Sequence, residues 1–295
     1  PMNLAPSFDA FDAWLAAREQ SVPNLRPQSA ARFHWVPGPR RKTPLAVVYL
    51  HGFSADPAET SPFSERLGDA LGANVFLPRL MGHGQDGSAM GAATMDGWLA
   101  DVALALAVGR ALGERIILVG CSTGGTLATW QALQGEKDLS LAALLLLSPN
   151  FGPRDPRSGL LYWPGARTWA SWLVGKERSI EPENAAHGRH WTTTYPIAAL
   201  FPMMALVRET LRGDLGAIHT PTWVAYHPDD DVVSVPKMHS ALGRFGVKPA
   251  WHERPVGQAS KHVIAGDAFA PEATNAVLSS ALAFLSAQGL GSTEA

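Results

Sequence analysis

The chain has 295 residues, of which 46% are hydrophobic and 17% charged, with 24 Lys and Arg against 26 Asp and Glu and a formal net charge of −2. That balance excludes a disordered chain, which needs low hydrophobicity and high net charge. It also offers no field for phosphate backbones or anionic membranes, so no nucleic-acid partner is expected.

A chain of this length can bury a substantial core, as one large domain or two modest ones. The single cysteine, Cys121, excludes an internal disulfide framework and a cysteine-based zinc cluster. No wholly apolar run is longer than Leu141 to Leu147, far short of the roughly 18 residues of a membrane span. Pro1-Met2-Asn3-Leu4 has neither the basic region nor the apolar stretch of a signal peptide. The expectation is a soluble protein without a transmembrane segment. The cytoplasm is favoured and a removed secretory leader stays open; nothing indicates an oligomeric state.

In chain order, Ser7 is a candidate cap for a short helix with Phe8, Phe11, Trp14 and Leu15 on one face. Pro23, Pro27, Pro37, Pro39 and Pro44 then predict an extended approach to a first central strand, Leu45 to Leu50. Further apolar runs follow at Asn74–Leu77, Arg115–Val119, Ala142–Leu147 and Thr222–Tyr226, with a weaker one at Pro249–Glu253. Runs without polar alternation suit strands buried on both faces, as in a parallel sheet covered by helices. Thr94 to Leu112 and Pro271 to Gln288 carry helical spacing. The alternation predicts an α/β fold, a mostly parallel central sheet with helices on both faces.

One connection is too long for that scheme. About 70 residues separate Pro149 from Thr220, where one crossover helix normally suffices. They hold Trp163, Trp169, Trp172 and Trp191 with Phe151, Tyr162, Tyr195 and Phe201, too aromatic for a solvated loop. The expectation is a core of residues 1–150 and 220–295 with an inserted helical cap at 151–219. The alternative is a peripheral helical extension whose aromatics pack on the sheet.

The strongest chemical signal is Gly120-Cys121-Ser122-Thr123-Gly124-Gly125, directly after a buried strand and before a helical stretch. Gly-x-Ser-x-Gly in that context makes a sharp turn that lifts the serine above the sheet. The helix N-terminus beside it favours developing negative charge. An ordinary strand–helix turn with a capping serine is the plainer alternative.

Together with His51-Gly52-Phe53 after the first central strand, these residues resemble the α/β-hydrolase superfamily, in particular its capped serine esterases and lipases. The resemblance extends over nearly the whole length. It implies an oxyanion hole formed by the backbone N–H groups of Phe53 and Thr123. It also implies a triad in the order serine, acid, histidine, each at the C-terminal end of a strand. The acid loop is His227-Pro228-Asp229-Asp230-Asp231-Val232-Val233, and the family pattern picks Asp230, one residue removed from the Val-Val pair, with Asp229 and Asp231 as alternatives. The base is placed at His262, within Gln258-Ala259-Ser260-Lys261-His262-Val263-Ile264. The rival His252 falls inside a strand pattern and reads as structural.

Other motifs compete. Gly82-His83-Gly84-Gln85-Asp86-Gly87 matches the dinucleotide fingerprint, but Pro78 to Met81 separate it from its strand, and Ser88 to Gly91 is not expected to be helical. The segment resembles the superfamily's Gly-His-Gly loop instead. His187 and His190 lack a third metal ligand nearby and read as surface or packing residues. Cys121 reads as a small packing residue.

The expected function is hydrolysis of carboxylic esters through an acyl-enzyme, with Ser122, Asp230 and His262 as triad and no metal or organic cofactor. The partner is a small-molecule ester with an apolar acyl or alcohol group held under the cap. Amidase, thioesterase or acyltransferase chemistry with the same triad, or a ligand-binding relative, are the alternatives.

Overall fold

The computed structural model describes residues 4, 7–134, 140–163, 165, 168, 175–253 and 260–291. Helix α1, Phe11–Gln20, is followed by β1, Arg32–His34; β2, Thr43–Leu50; α2, Phe63–Leu71; and β3, Asn74–Leu77. Next come α3, Gly87–Ala92; α4, Met95–Leu112; β4, Gly113–Cys121; α5, Thr123–Leu133; and β5, Leu141–Leu147. A two-stranded ribbon, β6 at Glu177–Ser179 and β7 at Thr194–Pro196, flanks α6, Ala185–His190. The chain closes with α7, Leu200–Arg212; β8, Thr222–Tyr226; α8, Val235–Leu242; β9, Ala250–Glu253; and α9, Pro271–Ala287.

The main sheet runs β1-β3-β2-β4-β5-β8-β9, parallel throughout except for β1, which pairs antiparallel with β3. Every predicted strand is present, β2 and β4 being longer than their apolar runs. Alternation along each strand divides the core. Ala46, Val48 and Leu50 of β2 join Leu118, Leu144 and Val224 under α4, α5, α7 and α8. Leu45, Val47 and Tyr49 face the other way, with Val119, Leu145 and Trp223 under α2 and α9. Each fully buried Val or Leu side chain contributes about 1.5–3 kcal/mol. No helix among the described residues is long and apolar enough to cross a membrane.

Local chemistry explains the element ends. The Thr94 hydroxyl accepts the Gly97 N–H at 3.0 Å and caps α4, whose first turn holds Asp96 and whose last holds Arg110, both favourable to the helix dipole. Three expectations are corrected. Ser7 makes no side-chain cap; a 3-10 turn at Phe8–Ala10 leads into α1 instead. Within the predicted extended approach lies β1, too short for a pattern of its own; it is recruited to the edge of β3, where Phe33 stacks on Phe76 at 4.9 Å. Ser88–Gly91 is helical, within α3, because the Asp86 carboxylate accepts the Ala89 N–H at 2.9 Å and starts a turn.

Met203, Met204 and Leu206 of α7 enter the same core cluster as α4 and α5, so this helix belongs to the covering layer of the sheet. Ahead of it, the ribbon and α6 lie over the loop that follows β2: the Thr192 N–H donates to the Ser54 carbonyl at 2.8 Å, and His190 Nδ1 is 2.9 Å from the buried Asp56 carboxylate.

Candidate active site

The turn between β4 and α5 holds Ser122 at φ 52°, ψ −117°, a conformation that a residue with a side chain adopts only when its surroundings enforce it. Here they do. The Ser122 N–H donates to the Leu147 carbonyl at 2.9 Å, and the Ser122 carbonyl accepts the N–H groups of Gly125 and Asn150 at 2.9 and 3.0 Å. A side chain at Gly124 would collide with the Leu50 carbonyl oxygen, so the first turn of α5 lies directly on the end of β2. The Ser122 hydroxyl makes no cap to α5 and is available to another partner.

That partner is His262, whose Nε2 lies 3.0 Å from Ser122 Oγ. The other ring nitrogen, Nδ1, is 2.8 Å from Asp230 Oδ2. The second Asp230 oxygen accepts the N–H groups of Val232 and Val233 at 2.9 and 2.8 Å, which fixes the carboxylate independently of the ring. On the histidine side, Ser260 Oγ accepts the Val263 N–H at 3.0 Å and the His262 N–H at 3.3 Å, shaping the loop that presents the imidazole. Of the three consecutive aspartates, Asp230 alone is buried, while Asp229 and Asp231 are exposed. Gln258 and Ala259 lie outside the described residues.

Burial alone would lower the His262 pKa, but the charge and hydrogen bond of Asp230 outweigh it, with Glu59 and Asp231 adding, and the net result lies above the ordinary imidazole value. The Cys121 thiol is pushed well up by burial, then by the nearby Glu59, so it remains a protonated packing group.

The turn after β2 lies opposite. His51 is fully buried and its Nε2 accepts the Leu80 N–H at 3.1 Å, which leaves Nδ1–H to donate to the Gly52 carbonyl at 3.0 Å. Burial, then neighbouring His83, holds this ring well below the usual range, so it stays neutral. The Gly52 carbonyl and the Phe53 N–H belong to one planar trans peptide and point in opposite directions. Among the described residues, neither the Phe53 N–H nor the Thr123 N–H is bonded to an acceptor; Thr123 opens α5, where such a donor has no partner within the helix.

Nothing in the sequence singles out Glu59, yet it lies at the heart of this region. Its buried Oε2 accepts the Gly52 N–H and the Tyr49 O–H, each at 2.7 Å. The only available signal would have been an acidic residue close after an apolar strand, which is common in loops.

The remaining candidates fall elsewhere. His252 lies in β9 and stacks on Trp223 at 6.0 Å. His187 packs against Trp191 and Phe269. Among the described residues, no group of three His, Cys, Asp or Glu side chains is arranged to hold a metal ion. In the Gly-x-Gly-x-x-Gly segment the Asp86 carboxylate already occupies the N-terminus of α3, where a dinucleotide would need to place its phosphates. Trp191 is buried against Ala55 and Val263, beside the His262 loop, whereas Trp163 is 64% exposed. Trp169 and Trp172 lie outside the described residues.

A family model described as the alpha/beta hydrolase family matches residues 47–283, a span that holds all of these groups. The chain belongs to this family. As an alpha/beta hydrolase, it is 35% identical over 89 residues to a thermostable monoacylglycerol lipase of Bacillus sp. (strain H-257). That match covers 30% of this chain and 35% of the lipase, so the chain spans about a third of the length of this curated relative. Among solved structures, one of a study of LipS and LipT, two metagenome-derived lipolytic enzymes, has a TM-score of 0.70 at 18% identity, covering 89% of this chain and 99% of that one. A soluble variant of monoglyceride lipase from Saccharomyces cerevisiae has a TM-score of 0.64 at 14% identity, covering 88% and 91%. At such identities the likeness establishes the fold.

Proposed function

We propose that this alpha/beta hydrolase is a serine hydrolase that cleaves carboxylic esters through an acyl-enzyme. The observation that carries the reading is the hydrogen-bonded line from Ser122 Oγ to His262 Nε2 and from His262 Nδ1 to Asp230. In this reading Ser122 Oγ attacks the ester carbonyl as His262 Nε2 takes its proton. The carbonyl oxygen, now negative, receives the Phe53 and Thr123 N–H groups, donors held by the peptide anchors and by α5 and therefore in place before charge develops. Asp230 keeps the Nδ1 proton facing it and stabilises the imidazolium. The imidazolium then protonates the departing alcohol oxygen, and the acyl group remains on Ser122. Water enters, gives a proton to His262 and attacks the acyl carbonyl; the acid leaves and Ser122 recovers its proton. Protons and charge balance within the three side chains.

The substrate side is assigned to the insert, whose α6 and β7 lie against the loop after Gly52. Tyr195 meets Phe53 edge-on at 5.2 Å, and Trp191 is buried beside Val263, so aromatic side chains of the insert pack on the two loops that carry the Phe53 N–H and His262, a setting that suits an apolar acyl or alcohol group. The partial identity with a monoacylglycerol lipase supports glycerol monoesters as a substrate class to include.

The test is hydrolysis of p-nitrophenyl esters from acetate to laurate and of monoacylglycerols, with Ser122→Ala alongside. Ser122-dependent turnover is expected, and the best chain length sizes the acyl site. Absence of turnover together with absence of fluorophosphonate labelling at Ser122 overturns the reading in favour of ligand binding.

A further inference from the structure

Glu59 is a carboxylate buried to 2% exposure whose hydrogen-bond partners are an amide and a phenol, neither of them a cation. Core packing alone is served by an uncharged residue, because a buried anion without a cation is costly. Its location is specific. A side chain at position 52 would place its Cβ 2.6 Å from Glu59 Oε1 and 3.1 Å from Ser122 Cβ, so carboxylate and serine both border the space beside Gly52.

We propose, on the ester-hydrolase reading above, that Glu59 is a positioning residue. Its carboxylate pins the Gly52 N–H so that the Phe53 N–H faces the oxyanion, and its charge lies behind Ser122 where it steadies the His262 imidazolium. The Gly52 residue is held at both ends: His51 Nδ1–H binds its carbonyl at 3.0 Å and Glu59 binds its N–H at 2.7 Å. With both ends fixed, the intervening torsions cannot drift and the direction of the Phe53 N–H is set before substrate arrives. Tyr49 donates to the same carboxylate oxygen from β2 and locks its orientation.

The titratable groups that face Glu59 are Tyr49 on β2, Cys121 at the end of β4 and His262 on the loop ahead of α9; His262 in turn faces Asp230 and Asp231. Burial pushes the Glu59 carboxyl up to about 7, against its hydrogen bonds to Tyr49 and Gly52 and the attraction of His262. The carboxylate is therefore charged on the alkaline side of neutrality, where His262 works as a base, and its charge favours the protonated ring.

The experiment compares wild type, E59A, E59Q and E59D by kcat and KM for the best ester between about pH 5 and 9, and by NMR titration of the His262 ring without ester. E59A is expected to lower kcat about 10- to 100-fold with KM within about twofold, because a donor used in the transition state is misaimed. E59Q keeps an oxygen for Gly52 and Tyr49 and loses the charge. It is expected to recover kcat at pH 8 to within about threefold of wild type, and to move both the acid limb and the His262 titration down by about one pH unit. A wild-type kcat in E59A, or an unshifted His262 titration in E59Q, overturns the proposal. If E59A does not fold, E59D replaces it: the carboxylate retreats from Gly52, kcat falls, and the ring titration stays near that of wild type. A wild-type kcat in E59D is then the overturning result. The NMR titration needs no turnover, so a failure of the ester reading is distinguishable from a failure of the Glu59–His262 coupling.

Discussion

Two arms meet at Ser122, and each is anchored by a buried carboxylate in a different way. On the acid–base arm, Asp230 divides its oxygens between the His262 ring and two backbone N–H groups, so its charge has a partner that becomes a cation when needed. On the oxyanion arm, Glu59 binds backbone and phenol only, and burial pushes it up to about 7. The same functional group thus orients a ring on one side and braces a backbone turn on the other. The difference lies in whether a hydrogen-bonded partner can carry positive charge.

The comparison breaks most sharply at the point where the arms converge. Ser122→Ala should lower ester turnover by about 10⁴-fold or more with the fold intact by circular dichroism; a smaller loss would mean that neither arm serves this serine. Next in size, Asp230→Asn should cost about 10³- to 10⁴-fold in kcat, while Asp229→Asn and Asp231→Asn stay within about threefold, since Asp230 is the one of the three hydrogen-bonded to the ring. Equal losses in the three variants would remove the distinction between a held aspartate and its exposed neighbours.

The pH profile sharpens the contrast. His262 must be neutral to accept the Ser122 proton, and its pKa lies above the ordinary 6.5 because Asp230 outweighs burial. Activity should therefore fall as pH drops through a midpoint above that value, and Asp230→Asn should move the midpoint down in whatever turnover remains. A midpoint below 6.5 in the wild type would show that burial prevails.

The smallest expected effect concerns a third carboxylate. Asp56 accepts the Ser29 hydroxyl at 2.6 Å and the Ala58 N–H at 2.7 Å and faces His190 of α6. Asp56→Ala should destabilise by about 1–3 kcal/mol, since buried donors lose their acceptor. At about 2–4 °C per kcal/mol, a melting scan resolves it.

Much of this arrangement was legible in the residues. Buried runs such as Ala142–Leu147 announce parallel strands because nothing polar alternates in them, and Gly-x-Ser-x-Gly between such a strand and a helix locates the turn that exposes Ser122. Reading Asp230 out of three aspartates drew on a family pattern, because local sequence does not say which carboxylate will be buried. What stayed hidden depends on distant contacts. β1 exists because β3 offers an open edge, and α3 because Asp86 caps it. Glu59 acquires its meaning only when the chain folds back to set it against Gly52 and Tyr49. Aromatic content, for its part, cannot tell a helix over the site from one, α7, that covers the sheet.

The contact between Gly124 and the Leu50 carbonyl has a consequence for how the protein would fail on heating. It joins the first turn of α5 to the end of β2, and the two amide donors, Thr123 and Phe53, lie just beyond those two points. Their separation is thus inherited from the pairing of β2 with β4, which keeps one register from Thr43–Gly113 to Leu50–Gly120. Warming that only frays the insert would spoil substrate choice long before it spoils the donors. Loss of the chemistry itself would coincide with loss of the sheet, so thermal inactivation of the smallest ester and global unfolding should follow one curve.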